Sequence, residues 1–419
     1  MIHSEEFILR HKTASHHFTR TRSLPFPTVI LFLINFLKRS LQPELDSFFQ
    51  AAQNVSAPVR EVTKAAFSQA RLKLKPSAFT ELNHKLLLFF EDHFSPRTWH
   101  GFRLLAIDGT TLRLPNTPEM TTHFGTQPDT TSVCRPMARV SQLYDVLNRL
   151  TLHAVLNPYR VDERDLAIEH GSFLQKNDFV LLDRGYPAFW FFAWLQATPA
   201  PFCARVSVDS WSEVKQFYGS GKSEQIVTIT PTGNARKKCL EYGLPITPIR
   251  VRLIRVSLDG VDDQILMTSL LDTEAYPLEW LQEVYHFRWG IEENYKQMKS
   301  RIAMENFSGK SVESVYQDFH AKVFSMNLTA VLVHPVQDQV EQESNGKQYP
   351  YQVNMTFAVS SLKQVIVKLL SQARPLRLVR KIQELFSKTL EPVRSGRSYP
   401  RKKVMRNRPV FFPCYKSTA

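Results

Sequence analysis

The sequence predicts an α/β core, α+β over the whole chain, interrupted by an all-β insertion and flanked by helical regions at both ends. Three observations predict it. Two apolar runs, Phe102–Ile107 and Asp178–Leu182, each lead into an aspartate with a glycine one or two residues on, as buried strands do where they reach a sheet edge. Two β-rich runs and a short helix separate them. A late stretch, Tyr285–Lys299, has no proline, a single glycine and many good helix formers. The boundaries that follow are 1–98 (helical), 99–200 (first part of the core), 201–278 (a core strand and the insertion), 279–333 (core helices), 334–392 (helical) and 393–419 (a basic tail).

Length and charge bound the function. At 419 residues the chain can hold a large core, and 43% hydrophobic with 22% charged residues is ordinary for a globular protein. A net charge of +14 is not ordinary, and a polyanion, nucleic acid first, is the expected partner. An anionic membrane finds no support. The longest apolar run, Val29–Ile34, is far short of the roughly 20 residues a span needs, and the N-terminus lacks a signal-peptide pattern. Cys134, Cys203, Cys239 and Cys414 are widely spaced, which argues against zinc or a disulfide framework and fits a reducing cytosol.

In the N-terminal region, residues 27–50 and 60–94 read as helices punctuated by prolines. Glu61–Phe79 carries Lys64, Arg71, Lys73 and Lys75, which suit DNA phosphates or simply a solvated face. In the core, an isolated Asp-Gly such as Asp108-Gly109 is most simply a turn. Residues 137–157 then read as two β runs around a turn at Asp145–Asn148, with a short helix near 163–175 behind them. The second apolar run, ending in Asp183-Arg184-Gly185-Tyr186 and followed by a helix over Phe189–Gln196, repeats the design of the first, so accident explains the pair poorly.

The 109 residues from Asp183 to Glu292 exceed any single loop. Pro201–Val206 reads as the next core strand. Gln225–Thr230, Ile249–Leu258 and Gln264–Leu270 read as strands of the insertion, the last two joined by an Asp259-Gly260 hairpin. Arg236, Lys237 and Lys238 form a basic cluster in a polar loop, suited to a DNA backbone or to solvent.

On the Tyr285–Lys299 helix, Tyr285, Arg288, Glu292 and Lys299 fall within roughly 60° of one another at about 100° per residue, with Lys296 close by. A carboxylate there is a hard ligand for Mg²⁺ or Mn²⁺, and Arg and Lys beside it suit phosphate oxygens. This is half of a phosphodiester-cutting site, though a solvated helix with spaced ion pairs would also look so. Beyond it, residues after Ser311 to 333 read as helix, 338–351 as a polar loop, 356–388 as an amphipathic helical pair, and the tail from Arg394 as a basic arm.

The spacing of Tyr285, Arg288, Glu292 and Lys299 is the YREK signature of IS4-type transposases, a group of DDE enzymes, and the chain resembles them. DGT at 108–110 and DRGY at 183–186 resemble the first two catalytic motifs; FSQAR at 67–71 and ENFSGK at 305–310 resemble flanking segments. The order strand–Asp, two strands, helix, strand–Asp and late helix with Glu is the ribonuclease-H-like layout. The resemblance implies that Asp108, Asp183 and Glu292 hold two Mg²⁺ (or Mn²⁺) ions. It also implies that Tyr285, Arg288, Lys299 and Lys296, with Arg184 of DRGY and Arg205 after it, meet DNA, and that Lys310 faces DNA. Gln264 stands where a hairpin-forming relative has a base-stacking tryptophan; glutamine stacks little, which argues against the hairpin route of strand release unless another aromatic, such as Trp211 or Tyr218, serves.

The implied activity is binding of terminal inverted repeats, hydrolysis to free 3′-OH ends and their joining to target DNA. Two protomers would pair in a synaptic complex, in the cytoplasm of a bacterium and on its nucleoid. The alternatives are a ribonuclease-H-like nuclease or resolvase without strand transfer, and an inactive relative that only occupies DNA ends.

Overall fold

A computed structural model describes residues 1–20, 22–127, 135–258, 261–344, 346–371 and 375–393. The chain forms two compact units. One comprises 1–88, 114–120 and 297–419; the other comprises 89–113 and 121–296. No helix among the described residues is long and apolar enough to cross a membrane.

The N-terminal segment holds α1 (Glu5–His11), α2 (Phe26–Leu33), α3 (Leu41–Gln53), α4 (Lys64–Arg71) and α5 (Ser77–His93). One of these breaks corrects the sequence reading. The single helix expected over 27–50 is interrupted near Phe36, whose φ of 48° no helix accommodates. Glu44 fills the gap: its buried carboxylate accepts the Lys38 and Arg39 amides and pairs with Lys363 at 2.8 Å. The 60–94 stretch divides before Pro76, as its punctuation implied, because the residue ahead of a proline is driven out of helical geometry. Thr63 caps α4 through the Ala66 amide.

The second unit is built on one mixed sheet. β1 (Arg103–Arg113) is followed by α6 (Pro118–Phe124), β2 (Thr126–Gln127), β3 (Arg135–Asp145) and β4 (Leu150–Pro158). Then come α7 (Glu163–Ile168), β5 (Asp178–Leu182), α8 (Phe189–Ala197) and β6 (Phe202–Val206). β1, β3 and β4 form an antiparallel meander, and β5 and β6 lie parallel to β1 on its other side. The order β4-β3-β1-β5-β6 is the ribonuclease-H-like layout. β5 is buried along its whole length, as a parallel strand covered on both faces must be. Burial of Phe179, Val180, Leu181 and Leu182 contributes about 1.5–3 kcal/mol each.

The insertion is not all-β. It contains α9 (Ser212–Gly219), β7 (Glu224–Ile229), α10 (Gly233–Glu241), β8 (Ile249–Leu258) and β9 (Val261–Thr268). Arg236, Lys237 and Lys238 lie on α10 rather than in a loop. Lys238 packs its ammonium over the Trp190 and Tyr242 rings, so this member of the cluster is tied to the fold. The three strands extend the core sheet: β9 pairs antiparallel with β6, which gives that edge its hydrogen-bond partners. β8 and β9 pair as expected, while their Asp259-Gly260 turn lies outside the described residues.

The chain continues through α11 (Leu278–Val284), a 3₁₀ turn over Tyr285–Arg288, and α12 (Trp289–Ser300). It ends in α13 (Val312–Ser344), β10 (Tyr351–Val353), α14 (Met355–Ser371), α15 (Pro375–Ser387) and β11 (Leu390–Pro392). α13 runs through residues 338–344, expected as loop. The segment is polar but rich in helix formers, and Val340 packs beside Val336, Ile382 and Phe386. Cys203 and Cys239 are free thiols. Cys134, Cys414 and the basic tail from Arg394 lie outside the described residues.

Candidate active site

Strand register brings the first two sequence-predicted carboxylates together. β1 and β5 pair in parallel up to Ile107 and Leu182, so Asp108 and Asp183 each come next and reach the sheet edge at one level. The sequence reading ended the first strand at Asp108. In fact β1 continues to Arg113, because β3 pairs with it beyond the point where β5 stops. Asp108 thus lies within a strand, with Gln142 of β3 opposite it.

α12 is seated on the same place. The Tyr295 hydroxyl donates to the Asp108 carbonyl at 2.7 Å, and the Asn294 amide donates to Gln142 Oε1 at 3.0 Å. A Cβ on Gly290 would lie 3.3 Å from Val146, so glycine permits the close approach of this helix. Tyr295→Phe is expected to lower stability by about 0.5–1.5 kcal/mol, the net worth of one buried hydrogen bond, as read by urea denaturation.

The signature residues do not share one uniform helix. Tyr285 and Arg288 lie on the 3₁₀ turn, and Glu292 and Lys299 lie on α12. The Arg288 guanidinium, 4% exposed, sits 5.6 Å over the Tyr285 ring and donates from Nη2 to Glu292 Oε1 at 2.7 Å. Among the described residues, its Nε and Nη1 and the Tyr285 hydroxyl are buried without a hydrogen-bond partner of good geometry. Arg288 also lies within electrostatic reach of Asp183 and Asp108. A buried cation with two idle donors has hydrogen-bonding capacity left for an oxygen acceptor.

Burial pushes the Asp108 carboxyl up to about 7; Glu163 and Asp183 add to the rise, while the Gly109 amide and Arg288 oppose it. Asp108 is therefore short of positive charge. Among the described residues, no three acidic, histidine or cysteine side chains already stand as a closed metal-binding group.

The remaining expected residues vary. Arg184 is exposed on the turn after Asp183, and Arg205 is half-buried on β6. Lys296 is exposed and pairs with Glu293. Lys299 lies on the last turn of α12, and Lys310 is exposed after Gly309. Gln264 lies on β9. Trp211 leans on Phe192 at 5.9 Å, and Tyr218 lies under Arg255 at 5.2 Å, so both substitutes are engaged in packing. Arg71, expected on a DNA-facing surface, is buried instead in the helical unit.

Sequence reading missed Glu163, Arg164, Asn294 and Tyr295. Arg164 holds the turn after Asp183 by donating to the Gly185 and Tyr186 carbonyls at 2.7 and 3.1 Å. Only the position of the 163–175 helix, directly ahead of the second aspartate strand, hinted at α7.

A family model for the transposase DDE domain matches residues 99–328. The chain belongs to that family. It is a metal-dependent nuclease and strand-transfer enzyme of DNA transposition, acts on DNA and works with a divalent metal. The transposase InsG of insertion sequence element IS4 from Escherichia coli K12 is 23% identical over 94% of this chain and 88% of its own length. The E. coli K12 protein described as the putative transposase InsZ is 33% identical over 20% of this chain and 29% of its own. A solved piggyBac transposase synaptic complex with hairpin DNA is similar with a TM-score of 0.42 and 9% identity, over 91% of this chain and 83% of that one.

Proposed function

We propose that this DDE transposase serves an IS4-type insertion sequence. It binds the element's terminal inverted repeats, cleaves at their ends and joins the 3′-OH ends to target DNA. The observation that carries the site assignment is the β1–β5 register, which sets Asp108 and Asp183 side by side, with Arg288 linking them electrostatically to Glu292. Asp108, Asp183 and Glu292 are the catalytic triad of this reading. Hard carboxylate oxygens and the shortage of positive charge at Asp108 fit a divalent cation, Mg²⁺ or Mn²⁺, two per site. Held by Asp108, Asp183 and Glu292, such ions would supply the Lewis-acid chemistry that activates water or a 3′-hydroxyl and stabilises the leaving oxygen.

The chain's own residues do the rest. Arg288 turns its idle Nε and Nη1 to phosphate oxygens, and Tyr285 offers its hydroxyl to the same group. Release of Glu292 from Arg288 couples phosphate arrival to completion of the triad. Lys299, Lys296, Arg184 and Arg205 meet the flanking backbone. Tyr295 and Asn294 keep α12 against the strand that carries Asp108. Two protomers pair the element ends, and the protein works in the bacterial cytoplasm.

The test uses a duplex ending in the element's own repeat, with Mg²⁺, wild type and Glu292→Gln. Wild type should nick at the boundary and join the 3′ end to a second duplex. The variant should bind the repeat within about threefold of wild type yet cleave at least ~100-fold more slowly. Equal cleavage by the variant removes Glu292 from the triad. Cleavage without joining by wild type moves the protein to the nuclease reading, and binding without cleavage to the inactive one.

A further inference from the structure

Asp108 and Asp183 have a third carboxylate beside them that no sequence motif marks. Glu163 opens α7, whose start is fixed by Asp162 accepting the Arg164 amide at 2.9 Å. The helix packs against β1 and β3. Its first side chain reaches the main chain next to Asp108: a Cβ on Gly109 would lie 1.7 Å from Glu163 Oε1 and 2.6 Å from its Cδ. Glycine at 109 is therefore the space in which this carboxylate rests.

Among the described residues the Glu163 carboxylate makes no hydrogen bond. Burial and the charges of Asp162 and Asp183 raise its pKa, and the charges of Arg139 and Arg164 oppose them. The Tyr186 hydroxyl points the same way. It is 2% exposed and has no partner among the described residues, and the carboxylates of Glu163, Asp108 and Asp183 and the Tyr295 phenol lie within electrostatic reach of it. An unsatisfied buried phenol and three crowded carboxylates in one place cost free energy unless a ligand joins them. Glu292 is paired instead with Arg288, whose Nη2 donates to it at 2.7 Å.

We propose that Glu163 is a carboxylate of the cation site, joining Asp108 and Asp183 around the first divalent cation while Glu292 remains with Arg288. Glu292 then completes the site for the second cation once phosphate takes Arg288. The proposal rests on the assignment of Asp108 and Asp183 given above. It assigns loading order: Glu163 governs the DNA-free protein, and Glu292 governs the DNA complex.

The experiment measures Mn²⁺ binding to the full chain without DNA, by electron paramagnetic resonance of free Mn²⁺, for wild type, Glu163→Gln, Glu163→Asp, Glu292→Gln and Asp183→Asn. Circular dichroism and repeat-DNA binding confirm folding. Glu163→Gln should weaken Mn²⁺ at least tenfold, Glu163→Asp less, and Glu292→Gln under threefold. Wild-type affinity in Glu163→Gln overturns the proposal if Asp183→Asn has lost the ion. Wild-type affinity in Asp183→Asn overturns the underlying site assignment instead. If Glu163→Gln alone fails to fold, Glu163→Asp decides: a shortened carboxylate that leaves Mn²⁺ affinity unchanged overturns the proposal, and a loss supports it.

Discussion

Asp108→Asn is expected to abolish DNA cleavage, at least about 10³-fold, and at the same time to stabilise the metal-free protein at alkaline pH. The two effects share one cause. The site needs a charge that the fold alone does not accommodate, which is common where function and stability compete. Burial lifts the carboxyl from its ordinary 3.8 to about 7. Across that window the folded state binds more protons than the unfolded one, so stability falls as pH rises. Above pH 7 the whole cost of ionisation is present, on the order of 4 kcal/mol. An asparagine carries no such cost. The gain of the variant over wild type should therefore grow by about 2–3 kcal/mol between pH 5 and pH 8, read by urea denaturation in chelator. Mn²⁺ should reverse the order, because a cation stabilises the folded wild type by mass action. A gain that is flat with pH would sink the account.

Arg71→Leu is expected to cost about 3–5 kcal/mol, because it leaves a buried charge without its partner. Arg71 is 2% exposed. It donates to Gln317 at 2.8 Å, Ser308 at 2.7 Å, the Ser314 carbonyl at 3.0 Å and Asp318 at 2.8 Å. Burial works to raise the Asp318 carboxyl, yet Arg71, Lys322 and the Ser308 bonds hold it below its ordinary value. Its contribution is thus present at neutral pH and fades as the pH falls below about 4. Arg71→Leu with Asp318→Leu should recover part of the loss, since an apolar pair strands no charge. A surface contact to DNA would behave differently: Arg71→Leu would weaken DNA binding and leave the denaturation midpoint within about 0.5 kcal/mol of wild type.

This network explains what two sequence segments do. FSQAR supplies Phe67 and Arg71 on α4, and ENFSGK supplies Ser308 ahead of α13; the two segments meet in one buried cluster. Four cations within a dozen residues suggested a DNA surface, but charge alone does not reveal which side chain points inward. The polar stretch after residue 338 misled for a similar reason: composition without visible periodicity resembled a loop, and only the packing of Val340 made it helix. The insertion resembled an all-β module because its strands are apolar, whereas α9 and α10 are short and their character depends on what they pack against, β7 and β8 for α9 and α8 for α10.

The sequence by itself determined the class of this protein. Apolar runs leading into aspartates and an excess of positive charge pointed to an α/β protein that meets a polyanion, because strand burial and charge are local or summed properties of residues, and the resemblance of the YREK spacing to IS4-type transposases supplied the class. Tertiary structure alone decided how the site is held. Asp108 continues into a longer strand, Arg288 restrains Glu292, and Glu163 occupies the space over Gly109. Each depends on contacts between residues tens of positions apart in sequence or on the orientation of a single side chain, and neither follows from spacing along the chain.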